Sequence, residues 1–148
     1  MTQQYPYQLQ RFIEAQDYDF DSALSELKNG RKVTHWIWYI FPQVAGLGSS
    51  SMAEDYAIRS RDEALAYCSH EILGPRLIEC ASALLCHRNK KVTEIMDWPD
   101  DLKLKSSMTL FAMVCPETKV FQEILDMFYD GDLDPKTVSF LSNENQRF

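Results

Sequence analysis

Glycine is scarce in this chain, at 5 of 148 residues, and no stretch alternates apolar and polar residues over five positions between turns. Together these absences speak against a sheet. No apolar run approaches the length needed to span a bilayer, and no secretory segment opens the chain. The four cysteines, Cys68, Cys80, Cys86 and Cys115, contain no C-x-x-C pair. Cys86-His87 has no second ligand pair at metal-binding spacing, so neither a metal site nor a cofactor is expected, and a reducing cytoplasm suits such cysteines best. Cations are outnumbered as well: 15 Lys and Arg stand against 22 Asp and Glu, a formal charge of −7. That balance argues against a nucleic-acid backbone as partner, since such binding needs clustered Lys and Arg. The short basic run Arg88-Asn89-Lys90-Lys91 reads as a solvated helix end.

What is present is a globular composition, with 45% hydrophobic and 25% charged residues, which is enough to build a core. The length suits a single domain over 1–148 that buries about two-thirds of its unfolded surface, with 1–8 and 143–148 as flexible tails. Helical spacing and caps recur along it. Leu9, Phe12, Ile13 and Gln16 predict one short helix, and Asp19 or Asp21 caps a second that ends at Gly30. Ser51 with Glu54, and Ser60 with Glu63, have the spacing of capping boxes. Gly74-Pro75 opens a helix reaching Cys86 or His87, and Thr93 sits in one short turn. Pro99 opens another helix, to about Cys115; a further one follows Pro116 and ends at Gly131, and Asp134-Pro135 starts the last. The expectation is an all-α, compact single-domain bundle of roughly seven to nine short helices.

Two stretches hold most of the information. Val33 to Phe41 reads as a helix ended by Pro42, with Val33, Trp36, Ile37, Ile40 and Phe41 on one apolar stripe. Trp38, His35 and Tyr39 occupy the other side, so that helix is apolar almost all round and is expected to be buried. His35 then lies partly dry between aromatic rings, where burial would depress its pKa; it is either a satisfied core residue or a proton-transfer and ligand-binding group. Beyond Pro42, Gly46-Leu47-Gly48 feeds the serine-capped helix, a place with free backbone N–H groups but without the third glycine of a dinucleotide fingerprint or the Gly-Lys of a P-loop. The second stretch, Pro99 to Cys115, is apolar on two sides and carries Ser106, Ser107 and Thr109. Those hydroxyls either back-bond to the preceding turn or reach a ligand.

The landmarks His35-Trp36, Trp38, Phe41-Pro42-Gln43 and Gly46-Leu47-Gly48 resemble the bacterial family known as domain of unknown function 1810. Phe12, Ala15-Gln16, Gly30-Arg31-Lys32, Tyr56-Ala57-Ile58, Leu73-Gly74 and Ser106-Ser107-Met108-Thr109 extend the resemblance over about Leu9 to Leu141. The family's pattern has a proline after the histidine at His70 and Phe-Gly at Met96-Asp97; both departures fall in connections. The resemblance implies an all-helical domain and no established activity. Some relatives carry a calpastatin label, but calpastatin-type inhibitors are disordered and polar, whereas this composition builds a core.

Two functional readings follow. In the first, a small anionic metabolite or nucleotide binds near the His35–Gln43 segment. Its candidate contacts are Arg31, Lys32, His35, Trp38, Gln43 and Ser51, with Tyr56, Lys105 and Ser107 from other segments, and His35 is the candidate for acid–base work. No nucleophile–base–orienter set is legible, so whether the protein is an enzyme stays open. In the second, the aromatic segment is purely structural and the protein is a non-enzymatic interaction module whose acidic surface meets a protein partner.

Overall fold

A computed structural model describes residues 6–145, and among them every regular element is a helix. A 3-10 turn at Pro6–Gln8 leads into α1 (Gln10–Asn29), followed by α2 (Ile37–Ile40), α3 (Ser51–Asp55) and α4 (Arg61–Ser69). Then come α5 (Leu73–Leu84), a 3-10 turn (Leu85–His87), α6 (Val92–Ile95), α7 (Asp100–Val114), α8 (Val120–Tyr129) and α9 (Pro135–Asn145). Of the stretches expected as tails, Pro6–Gln8 forms a 3-10 turn and 143–145 belong to α9. The rest of both, 1–5 and 146–148, lies outside the described residues.

α5 and α7 form the centre of the bundle. α5 packs on α1, α4 and α8, and α7 on α2, α4, α8 and α9. Leu104, Met108, Leu110 and Phe111 of α7 are fully buried, and Ser106, Ser107 and Thr109 are buried with them. Thr109 Oγ1 donates to Lys105 O at 2.8 Å and accepts from Asp134 N at 2.9 Å. Ser106 Oγ lies 3.1 Å from both Leu102 O and Asp134 Oδ2. The back-bonding pattern is thus present, and it also fastens α9 to α7, because Asp134 Oδ2 caps α9 by accepting from Thr137 N at 3.1 Å.

Several helix boundaries differ from the sequence expectation. The first two predicted helices are one continuous α1. No glycine or proline interrupts residues 9–29, and of the two carboxylates expected to cap, Asp19 instead accepts from the Tyr39 hydroxyl. The serine cap of α3 is Ser50, which accepts from Ala53 N at 3.1 Å, one residue before the expected Ser51. Ser60 caps α4 as expected, accepting from Glu63 N at 3.0 Å. Gly30 ends α1 with φ 77°, as a C′ glycine should. Gly74 serves a second purpose: a Cβ there would sit 2.4 Å from Cys68 O, so its absence lets α5 start hard against the end of α4.

The largest correction concerns Val33 to Phe41, where only Ile37–Ile40 is helical. Glu26 of α1 supplies the reason. Its Oε1 accepts from Val33 N at 2.7 Å, Thr34 N at 3.0 Å and Trp36 Nε1 at 2.9 Å, and its Oε2 accepts from Thr34 Oγ1 at 2.7 Å. These bonds hold the segment in a bend and satisfy the amides a helix start would leave open. Trp36 still reaches the core and is fully buried, as are Ile37, Ile40 and Phe41. Val33 is 71% exposed, against the expected apolar stripe, and His35 is exposed, against the expectation that rings enclose it. A second correction concerns the cysteines: Cys68 and Cys115, 47 residues apart, are joined by a disulfide, while Cys80 and Cys86 are free. Sequence spacing gives no hint of this pairing, because it depends on α4 packing against α7.

Candidate functional site

The segment after Pro42 is pinned by backbone bonds across an isolated parallel bridge between Val44 and Ile58. Ile58 N donates to Gln43 O and Ala45 N to Ile58 O, both at 2.9 Å. Pinning fixes where the Gln43 side chain goes. It is only 8% exposed, it lines a cavity of about 360 Å3, and its amide makes no hydrogen bond with the described residues. The amide atoms are not among the buried ones left unbonded, so they open onto the groove, where a ligand can reach them.

The rest of that groove comes from α7 and from the start of α9. Pro99, Leu102, Lys103 and Ser106 stand at i, i+3, i+4 and i+7, one stripe of α7 facing the cavity. Lys105, Asp134 and Lys136 complete its polar wall, with Leu47 opposite. Lys103 lies 3.6 Å from Asp100 and 5.3 Å from the Trp38 ring centroid, so its charge is partly balanced. Lys105 and Lys136 have no carboxylate within ion-pair distance among the described residues. Asp134 is the groove's one carboxylate, and its Oδ2 is already committed to Ser106 and Thr137. A chain of net charge −7 therefore presents a locally cationic concavity.

A second depression, about 290 Å3, adjoins the groove through Pro99, which lines both. Lys32, His35, Asp97, Trp98 and Asp100 shape it. Lys32 is committed there: its Nζ donates to Thr34 O at 2.7 Å, pairs with Asp100 at 2.8 Å, and lies 4.9 Å from the Trp36 ring centroid. Trp98 is 73% exposed.

The structure brings together some of the residues singled out from sequence and disperses others. Gln43 and Lys105 share the groove, and Lys32 and His35 share the adjoining depression. Arg31 is on the surface, paired with Asp97 at 3.0 Å. Trp38 is half-buried under Lys103, with its Nε1 buried and unbonded. Ser51 is exposed at the start of α3. Tyr56 packs its ring 5.7 Å from Phe12 and 5.2 Å from Tyr39, on another side of the molecule's core; burial, then the Asp55 charge, raises its pKa above the ordinary tyrosine value. Ser107 is fully buried, its hydroxyl unbonded, and lines neither concavity. Sequence reasoning missed Lys103, Asp134 and Lys136, and named Ser106 only as one of three hydroxyls that back-bond or reach a ligand. The 99–102–103–106 stripe was the available signal, two polar residues on one face of an otherwise buried helix.

Another cavity, of about 390 Å3, is different in kind. Arg11 lines it and donates to five oxygens: Tyr7 O, Gln8 O, Asp55 O, Ala57 O and Glu63 Oε2. Glu63 is 3% exposed, and its other oxygen accepts from Arg59 N at 2.9 Å. Nothing in that pair is left to offer a ligand.

Fold and site together define a small all-helical domain with a lysine-rimmed groove at one end of its central helix. Residues 6–141 match the model of the family described as a protein of unknown function, DUF1810, and the chain belongs to that family. A solved relative is a conserved hypothetical protein, Rv1873, from Mycobacterium tuberculosis, whose crystal structure was determined at 1.38 Å. It is 45% identical, with a TM-score of 0.91 over 93% of this chain and 98% of that one. No curated protein matches. Among the described residues, no helix is long and apolar enough to cross a membrane.

Proposed function

We propose that this protein binds a small anionic metabolite in the groove between Gln43 and the lysines of α7 and α9. The observation that carries the reading is the largely buried Gln43, whose unbonded amide opens on the groove it shares with Lys105 and Lys136, cations without carboxylate partners. Amide and ammonium donors converging on a partly apolar concavity are what a carboxylate or phosphate ligand requires. His35, on the adjoining depression, is the proton-transfer candidate in this reading. A cytoplasmic location belongs to the same proposal. The exposed free thiol of Cys86 suits it and the Cys68–Cys115 bond does not, so cell fractionation is the test.

Thermal unfolding at low ionic strength, with phosphate, pyrophosphate and citrate added singly, tests the groove. At least one anion raises Tm, and Lys105→Glu with Lys136→Glu removes that rise while leaving the unliganded Tm nearly unchanged. A Tm indifferent to all three anions ends the reading.

The second reading, an interaction module with a structural aromatic core, draws on the full burial of Trp36 and on the exposure of Val33, Trp98 and Leu102 at 71%, 73% and 49%. Anion-dependent stabilisation lost with the lysines decides against it.

A further inference from the structure

We infer that the groove and the depression beside it form one nucleotide site, with the base stacked on Trp98 and the phosphates drawn toward Lys105 and Lys136. This rests on the anion reading of the groove and adds to it the chemistry of the rest of the ligand.

Three observations carry it. First, Trp98 presents an indole that is 73% exposed, while Trp36 is fully buried and Trp38 half-buried. Large aromatic side chains are rarely left so open, and a free indole face beside a cationic groove is the arrangement on which nucleobases stack. Second, the two concavities meet at Pro99, the residue next to Trp98, so a ligand lying across Pro99 reaches both. Third, the charges differ along that path. Around Trp98 stand Asp97 and Asp100, paired with Arg31 and Lys32, so among the described residues this end holds no unpaired Lys or Arg to draw a phosphate, while its carboxylates accept hydrogen bonds from ribose hydroxyls and exocyclic amines. Arg31 engages Asp97 Oδ2 at 3.0 Å and leaves its other oxygen open. On the far side of Pro99 stand Lys103, Lys105 and Lys136, with the Gln43 amide. An elongated ligand with hydroxyls and a flat ring at one end and charge at the other fits this gradient in one direction only. The N-terminus of α7 does not compete for the phosphates, because Asp100 and Asp101 already occupy its first turn.

Calorimetry and tryptophan fluorescence at low ionic strength, with ADP, UDP, pyrophosphate and ribose 5-phosphate as probes, test it. ADP or UDP binds about tenfold or more tightly than pyrophosphate or ribose 5-phosphate and quenches the emission. Trp98→Leu abolishes the quench and brings the nucleotide down to the affinity of pyrophosphate, whose own binding is unchanged. The exposure of Trp98 means this variant folds, which its circular dichroism checks. If nucleotides and pyrophosphate bind equally, or Trp98→Leu leaves nucleotide affinity as it was, the stacking platform is wrong while the anion groove stands. If no probe binds, both are wrong.

Discussion

The Arg11 cleft and the lysine groove are concavities of similar size, lined by charged residues, yet they are built for different ends. Every guanidinium N–H of Arg11 is engaged, and it ties the 6–8 turn, α1, the end of α3 and Glu63 of α4 into one unit. In the groove, by contrast, the Gln43 side-chain amide has no hydrogen-bond partner and Lys105 and Lys136 have no carboxylate within ion-pair distance among the described residues. Size and polarity do not separate a structural cleft from a binding site. Whether the polar groups are already satisfied does.

That contrast is open to breakage by mutation. The largest effect belongs to the core both regions rest on: Trp36→Ala removes a fully buried indole and its bond to Glu26, and should cost about 3–5 kcal/mol in urea unfolding. Next, Arg11→Ala strands the buried Glu63 carboxylate and should cost about 3 kcal/mol, whereas Lys105→Ala and Lys136→Ala stay within about 0.5 kcal/mol. Equal losses in the cleft and the groove would erase the distinction. One effect is conditional on pH. Burial pushes the Glu26 carboxyl up, but bonds from Thr34, Val33 and Trp36 outweigh it and hold the pKa at about 2. Because the folded value is depressed, this stabilisation is present above the ordinary pKa of 4.5 and is lost as pH falls toward 2. The stability gap between wild type and Glu26→Gln should therefore be widest near neutrality and should narrow below pH 4.5; a gap constant from pH 7 to 3 would show that the charge does not matter.

Much of the helical frame was legible because its signals are local. Ser60 before Glu63, Gly30 after Lys28 and Asn29, and Pro99 before two aspartates each mark a boundary through the geometry of one turn, and the structure places helix ends within a residue of them. The bend at Val33 to Trp36 was not legible. Its cause is Glu26, a residue of the preceding helix whose spacing to Thr34 means nothing until the chain turns back at Gly30. For the same reason His35 was expected indoors, since the 3.6-residue period places it among rings only if the helix starts at Val33.

The candidate site divides in the same way. Gln43 stood out as a polar tip in the aromatic stretch, and Lys105 only as a possible contact from another segment. Lys136 carried no mark of its own and Asp134 only that of a helix start, since nothing in their neighbourhood tells that α9 returns to the face of α7.

By itself, then, the order of residues determined that the chain is helical, roughly where its helices begin and end, and which faces of α7 are apolar; these follow from backbone hydrogen bonding and side-chain periodicity within a few residues. Only the tertiary structure decided that α7 and α9 bring Lys103, Lys105 and Lys136 around Gln43, that Trp98 stays outside, and that Arg11 is consumed by its own fold. Each of those depends on which distant groups meet, and a polar side chain is available to a ligand only after the packing has settled which partners it already has.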